Sequence, residues 1–195
     1  MDNRKLAILL SGRGSNFVAI HEAICRGDLR AEIGCVISNV ENAAGLVRAG
    51  EFGLTAICLP SRGVERVEYD RLLLRALRAF EPALVCMAGF MRVLSPEFLK
   101  EYPRRVLNIH PALLPSFPGL HAQRQALQYG VKISGCTVHL ADEGVDTGPI
   151  LLQRAVEVLE GDTEESLSAR ILEQEHQIYW RAIAIVLDKM NAVAR

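Results

Sequence analysis

An asparagine and a histidine stand two residues apart where an apolar run ends, in Leu107–Gly119, "LNIHPALLPSFPG". Residues i and i+2 of a strand project to the same face. Asn108 and His110 therefore aim together. Pro111 holds His110 extended and cannot continue a strand ladder. An amide donor beside a fixed imidazole suits carbonyl chemistry. The alternative is a pair that closes a strand with local hydrogen bonds. Asp146, in "DEGVDTGP", is the candidate third member, because a nearby carboxylate orients an imidazole and favours its charged form. Whether Asp146 reaches His110, or is solvated like Asp142 and Glu143, stays open at this level.

A second constellation is "LLSGRGSNFVAI", which reads as strand, glycine-rich turn and helix. Gly12 and Gly14 permit a tight bend. Ser15 and Asn16 fall at a helix start, where free N–H groups and the dipole favour an anion. No Gly-Lys-Ser/Thr follows, and the third glycine of a dinucleotide fingerprint is missing. A single phosphate monoester is the ligand this loop suits; a turn with a Ser or Asn cap is the other reading. The five histidines, His21, His110, His121, His139 and His176, form no HxxxH or HExxH, and no Cys/His spacing suits zinc, so no metal is expected. The absence of a GxSxG elbow disfavours a serine hydrolase.

Alternating elements must carry these residues. Strands are expected at Lys5–Leu10, Glu32–Ser38, Thr55–Leu59, Ala83–Ala88 and Val106–Ile109. Helices are expected at Ser15–Arg26, Ala43–Ala49 and Val64–Phe80. That order predicts an α/β fold, a mostly parallel, Rossmann-like twisted sheet with helices on both faces. Ser134–Leu140 and Ile150–Val158 read as an antiparallel C-terminal strand pair joined by a Gly- and Asp-rich loop. "DTEES" marks the start of a last helix near Thr163, whose apolar pattern runs to about Val193. The prolines brace the loop after His110, which brings His121 toward the site. A cis bond is expected at Leu114–Pro115.

The 195 residues are most simply one domain, 1–195. Half are hydrophobic and the net charge is −1, which leaves no broad basic field for nucleic acid. The odd set Cys25, Cys35, Cys58, Cys86 and Cys136 suits a reduced cytosol. No segment approaches the roughly 20 apolar residues of a membrane span. A cytoplasmic protein without a membrane partner is expected.

Five motifs, "LLSGRGSN", "AGFMRVLS", "LNIHPALLPSFPG", "DEGVDTGPI" and "EQEHQIYW", occur in this order across almost the whole chain. Together they resemble the phosphoribosylglycinamide formyltransferases, the GAR transformylases of the formyltransferase family. The resemblance implies a transfer of the formyl group of 10-formyltetrahydrofolate to the amine of glycinamide ribonucleotide (GAR) in purine synthesis, without a metal. It implies catalytic roles for Asn108, His110 and Asp146, with Asp146 raising the His110 pKa. It implies GAR contacts at Gly14, Ser15, Asn16 and Glu175. The implied folate site comprises Arg66, the segment Met91, Arg92, Val93 and Leu94, Asn108, and the loop Asp142, Glu143, Gly144, Val145 and Asp146. "QIYW" departs from the family's more usual "IYP", and Trp180 implies altered packing beside Glu175. Partners are expected to be small-molecule substrates, with the chain a monomer or homodimer. A formyltetrahydrofolate deformylase shares the Asn-His-Asp logic but uses water and normally has an additional N-terminal domain. A methionyl-tRNA formyltransferase adds a tRNA-binding domain. A folate- or nucleotide-binding module is the non-enzyme alternative.

Overall fold

The structure, a computed structural model, describes residues 3–193. A seven-stranded sheet runs β3-β2-β1-β4-β5-β6-β7. Strands β1 (Lys5–Leu10), β2 (Glu32–Ser38), β3 (Ala56–Cys58), β4 (Leu84–Met87) and β5 (Val106–His110) are mutually parallel. Strands β6 (Ile133–Leu140) and β7 (Ile150–Glu157) form the expected antiparallel pair, and β6 also pairs antiparallel with β5. The helices are α1 (Ser15–Cys25), α2 (Ala44–Glu51), α3 (Arg66–Arg78), α4 (Pro96–Glu101), α5 (Ala122–Tyr129) and α6 (Glu164–Val193). The order of strands and helices follows the sequence reading, with ends displaced by one or two residues. Helices α4 and α5 are additions: six and eight residues are too few to show a helical period.

The sheet is buried on both faces, which is why β1 reads as an unbroken apolar run. Leu6, Ile8 and Leu10 pack with α1 and α6 residues such as Phe17, Ile178 and Ile183, while Ala7 and Leu9 pack on the other face with Tyr69, Leu73 and Phe98. Helix α6 runs thirty residues without a break at Trp180, which is partly buried against the first core. The Tyr179 hydroxyl reaches the carbonyls of Met87 (2.9 Å) and Leu107 (3.1 Å), tying α6 to the ends of β4 and β5. Among the described residues, no helix is long and apolar enough to cross a membrane.

The segment after β5 is fixed by side chains from the hairpin. Thr137 Oγ1 accepts from Leu114 N (3.0 Å) and donates to Ala112 O (2.7 Å), and Gln153 Nε2 donates to Leu114 O (2.9 Å). The Leu114–Pro115 bond is cis. The loop between β6 and β7 turns back tightly: a Cβ on Gly148 would lie 1.8 Å from the Leu140 carbonyl oxygen.

Candidate functional site

Ligands of doubly wound sheets bind beyond the carboxyl ends of the strands. A cleft of about 530 Å³ opens there, lined by the segment after β4, the end of β5, the proline loop and the β6–β7 loop. Asn108 and His110 line it, as do Met91, Arg92, Val93 and Leu94, and Asp142, Gly144, Val145 and Asp146. His121 lines it too, from the residue preceding α5. Glu143 and Arg66 are exposed and outside the lining, with Arg66 on the first turn of α3.

Asp146 is the hub. Its backbone is left-handed (φ 56°), a conformation aspartate tolerates better than most residues. Its Oδ2 lies 3.2 Å from His110 Nδ1 and accepts from Gly119 N–H (2.8 Å). Its Oδ1 accepts from Asn108 Nδ2 (3.3 Å). The sequence left this convergence open, and the hairpin loop produces it. His139, which sequence reasoning did not place in the site, lies 3.1 Å through Nε2 from Asn108 Nδ2 and 3.5 Å from Asp146 Oδ1. Its Nδ1 faces the Leu140 carbonyl at 3.0 Å. The register of β6 pairs His139 with Asn108 directly.

His110 is 4% exposed. Its Nε2 is 2.8 Å from the Phe117 carbonyl, so both ring nitrogens face acceptors. Burial holds its pKa below the usual 6.5, although Asp146 and the Phe117 carbonyl pull it upward. The upward pull of Asp146 is the expected one, but burial outweighs it, which favours the neutral ring at pH 7. A neutral ring has one N–H for two acceptors, and a charged ring would satisfy both. Burial pushes the Asp146 carboxyl upward, but its contacts with His139, the Gly119 N–H and His110 outweigh burial and hold the group below the usual carboxylate range. Among the described residues, no group of three His, Cys, Asp or Glu side chains is placed to hold a metal ion.

The glycine loop lies outside the cleft lining. Gly14 occupies the N-cap of α1 with φ 73° and no side-chain cap bond. A Cβ there would meet Gly45 Cα at 3.0 Å, so the left-handed turn against α2 needs glycine. Gly12 has open space and no positive φ, which limits the expected requirement to Gly14. Neither Ser15 nor Asn16 caps the helix, so the capping alternative is not what forms. Asn16 Nδ2 instead donates to Glu175 Oε2 (2.7 Å), while Asn16 Oδ1 is buried without a partner.

Glu175 is 6% exposed, and burial pushes its carboxyl up to about 7 against the Asn16 hydrogen bond. A carboxyl raised on folding contributes stability that is full below its unfolded pKa and is lost as pH rises through its folded one. Relative to a Glu175→Gln variant, the wild type is expected to lose about 2–3 kcal/mol of stability between about pH 5 and about pH 8.5. Urea unfolding of both proteins at the two pH values measures this. A pH-independent difference would mean that the carboxyl is already charged in the fold.

The formyl transferase family profile matches residues 4–183. The phosphoribosylglycinamide formyltransferase of Escherichia coli is 43% identical over 184 residues, which cover 94% of this chain and 87% of that protein. The trifunctional purine biosynthetic protein adenosine-3 of Drosophila melanogaster is 45% identical over 188 residues. That alignment covers 95% of this chain and 14% of the fly protein, so the chain spans about one seventh of that relative. The crystal structure of glycinamide ribonucleotide transformylase 1 from Symbiobacterium toebii superposes with a TM-score of 0.94 at 46% identity, covering 96% of this chain and 89% of the other.

Proposed function

Since the chain belongs to the formyl transferase family, we propose that it transfers the formyl group of 10-formyltetrahydrofolate to the amine of GAR, a step of purine biosynthesis. The observation that carries this reading is the convergence of Asn108, His110 and Asp146 in the lining of the cleft. An amide donor, a neutral imidazole and a carboxylate suit attack of an amine on a formyl carbon. None of them supplies an activated nucleophile, so direct transfer fits better than a covalent enzyme intermediate.

Each residue then has one task. Asn108 Nδ2 donates to the formyl oxygen as it gains negative charge. His110 takes the proton released by the attacking amine and returns one to N10 of the departing folate, the charged ring adding to the stabilisation of the oxyanion. Asp146 orients the ring, favours its charged form and holds the Asn108 amide. The backbone of residues 91–94 and the 142–146 loop take the pterin, with Arg66 reaching the folate tail. Gly14, Ser15 and Asn16 take the phosphate at the start of α1, with Glu175 beside them, so that binding remote from the reaction places the amine. A phosphate does not need the missing third glycine, and the cap left open by Gly14 supports the same reading.

Incubation with 10-formyltetrahydrofolate, with and without GAR, tests the substrate pair. Tetrahydrofolate release that requires GAR is expected. Release at equal rate without GAR would make the protein a deformylase, and no release in either mixture would make it a binding module.

A further inference from the structure

A polar circuit runs behind the cleft and joins two lining residues, Met91 and Arg92, to Ser11, Asn39 and Ser61, which do not line it. The Met91 N–H donates to Ser11 Oγ (2.8 Å), and the Ser11 hydroxyl donates to Asn39 Oδ1. Asn39 Nδ2 donates to Ser61 Oγ (3.0 Å), and Ser61 N–H donates back to the Asn39 carbonyl (3.1 Å). The Ser61 carbonyl accepts from Arg92 Nη1 (3.2 Å), which returns the circuit to the residue after Met91. Four segments that are distant in sequence are closed into a ring: the ends of β1, β2 and β4, and the loop before α3.

The direction of these bonds is forced. A backbone N–H can only donate, so Ser11 must accept from Met91 and give its single proton to Asn39. That fixes Oδ1 of Asn39 toward Ser11 and Nδ2 toward Ser61. Asn39 and Ser61 are 9% and 7% exposed, so each lost partner leaves a buried polar group unpaired.

The segment this circuit holds has little else to hold it. Phe90 and Leu94 are core residues, but Met91 is 65% exposed and Val93 is 41% exposed between them. The anchors of Met91 and Arg92 are the Ser11 bond and the Arg92 guanidinium, which reaches Ser61 O and Val64 O (3.4 Å) and lies 4.6 Å over the Tyr69 ring. With its N–H donated to Ser11, Met91 offers a ligand only its carbonyl and side chain.

We propose that Ser11 and Asn39 are positioning residues that set the backbone of the Met91–Leu94 segment in the geometry that receives the folate. The proposal rests on the reading above that this segment takes the pterin. Nothing in the circuit touches the reacting atoms, so its loss weakens folate binding and spares the chemical step.

Asn39→Leu keeps the side-chain size and removes both polar ends. Its dissociation constant for tetrahydrofolate, by calorimetry, and its KM for 10-formyltetrahydrofolate are expected to rise about tenfold, the effect of roughly one net hydrogen bond. The kcat and the KM for GAR are expected to stay within about twofold. Asn39→Asp keeps the oxygen that Ser11 bonds and is expected to recover most of the folate affinity. Unchanged folate binding in Asn39→Leu overturns the proposal. So does a parallel change in kcat and both KM values, which would mark the circuit as general scaffolding. Should circular dichroism show Asn39→Leu unfolded, Ser61→Ala, which removes one link, must raise the folate KM about threefold, and no rise is then the contrary result. A wild type that binds tetrahydrofolate but does not formylate GAR would remove the proposed substrate while the binding comparison still judges the circuit. A wild type that binds no tetrahydrofolate would overturn both.

Discussion

Replacing Asn108 by alanine is expected to lower kcat for formyl transfer by about 10²–10³, the effect of losing one preorganised oxyanion donor. The argument rests on how the amide is held. Asn108 lies on β5, paired with His139 across the sheet, and its Nδ2 is bracketed by Asp146 Oδ1 at 3.3 Å and His139 Nε2 at 3.1 Å. Both contacts are on the nitrogen, so the amide is oriented with its N–H groups toward Asp146 and His139, and the proposed donation to the formyl oxygen takes one of these N–H groups from its resting partner. The oxygen of a formyl group gains full charge only as the amine adds, so the donor acts mainly on the transition state. The KM for either substrate is expected to change less than about threefold. Steady-state kinetics with both substrates varied provides the check, and a kcat near that of wild type would take Asn108 out of the catalytic set.

The second large effect is expected at Asp146. Its Oδ2 serves both His110 Nδ1 and the Gly119 N–H, and its Oδ1 serves Asn108. Asp146→Asn must turn an NH₂ group toward one of these donors and removes the negative charge. The carboxylate is the main influence raising the His110 pKa against burial. Its loss lowers that pKa further, so the ring becomes a poorer proton acceptor as well as a looser one. A fall in kcat of about 10²–10⁴ is expected, the range for removing a positioned acid–base group. An NMR titration is expected to show the His110 midpoint below that of wild type. A midpoint that did not move would break the proposed His110–Asp146 pair whatever the kinetics.

The sequence made these residues visible unequally. Asn108 and His110 were legible because a strand's period of two puts them on one face and Pro111 ends the strand there. Asp146 was visible as a carboxylate but not as a partner. Thirty-five residues, α5 and β6 among them, separate it from His110, and the turn that brings it back depends on the close approach of Gly148 to Leu140. His139 was missed because it lies inside the buried run of β6, where a histidine reads as a satisfied core residue. Pairing the two strands by register is the signal that could have found it. Similar reasons apply to the fold. The buried parallel strands announce themselves as apolar runs, and α6 by its long period, whereas α4 and α5 are too short to show one. The pKa of His110 depends on its depth of burial, which its neighbours in sequence do not reveal.

The segment at residues 91–94 illustrates a different limit. Its motif was readable, but what holds it comes from Ser11, Asn39 and Ser61 on three other segments. No spacing in the chain relates these positions. They meet only because β3, β2, β1 and β4 are adjacent in the sheet.

Direct transfer between the two substrates is the central claim, and following the formyl carbon tests it most directly. The protein in excess over 10-formyltetrahydrofolate labelled with ¹³C in the formyl group would be mixed with GAR and quenched after a single turnover. The ¹³C spectrum is predicted to show the label as an amide on the GAR amine, in step with tetrahydrofolate formation and with no labelled formate. Label appearing as formate while the GAR amine stays unmodified would contradict it.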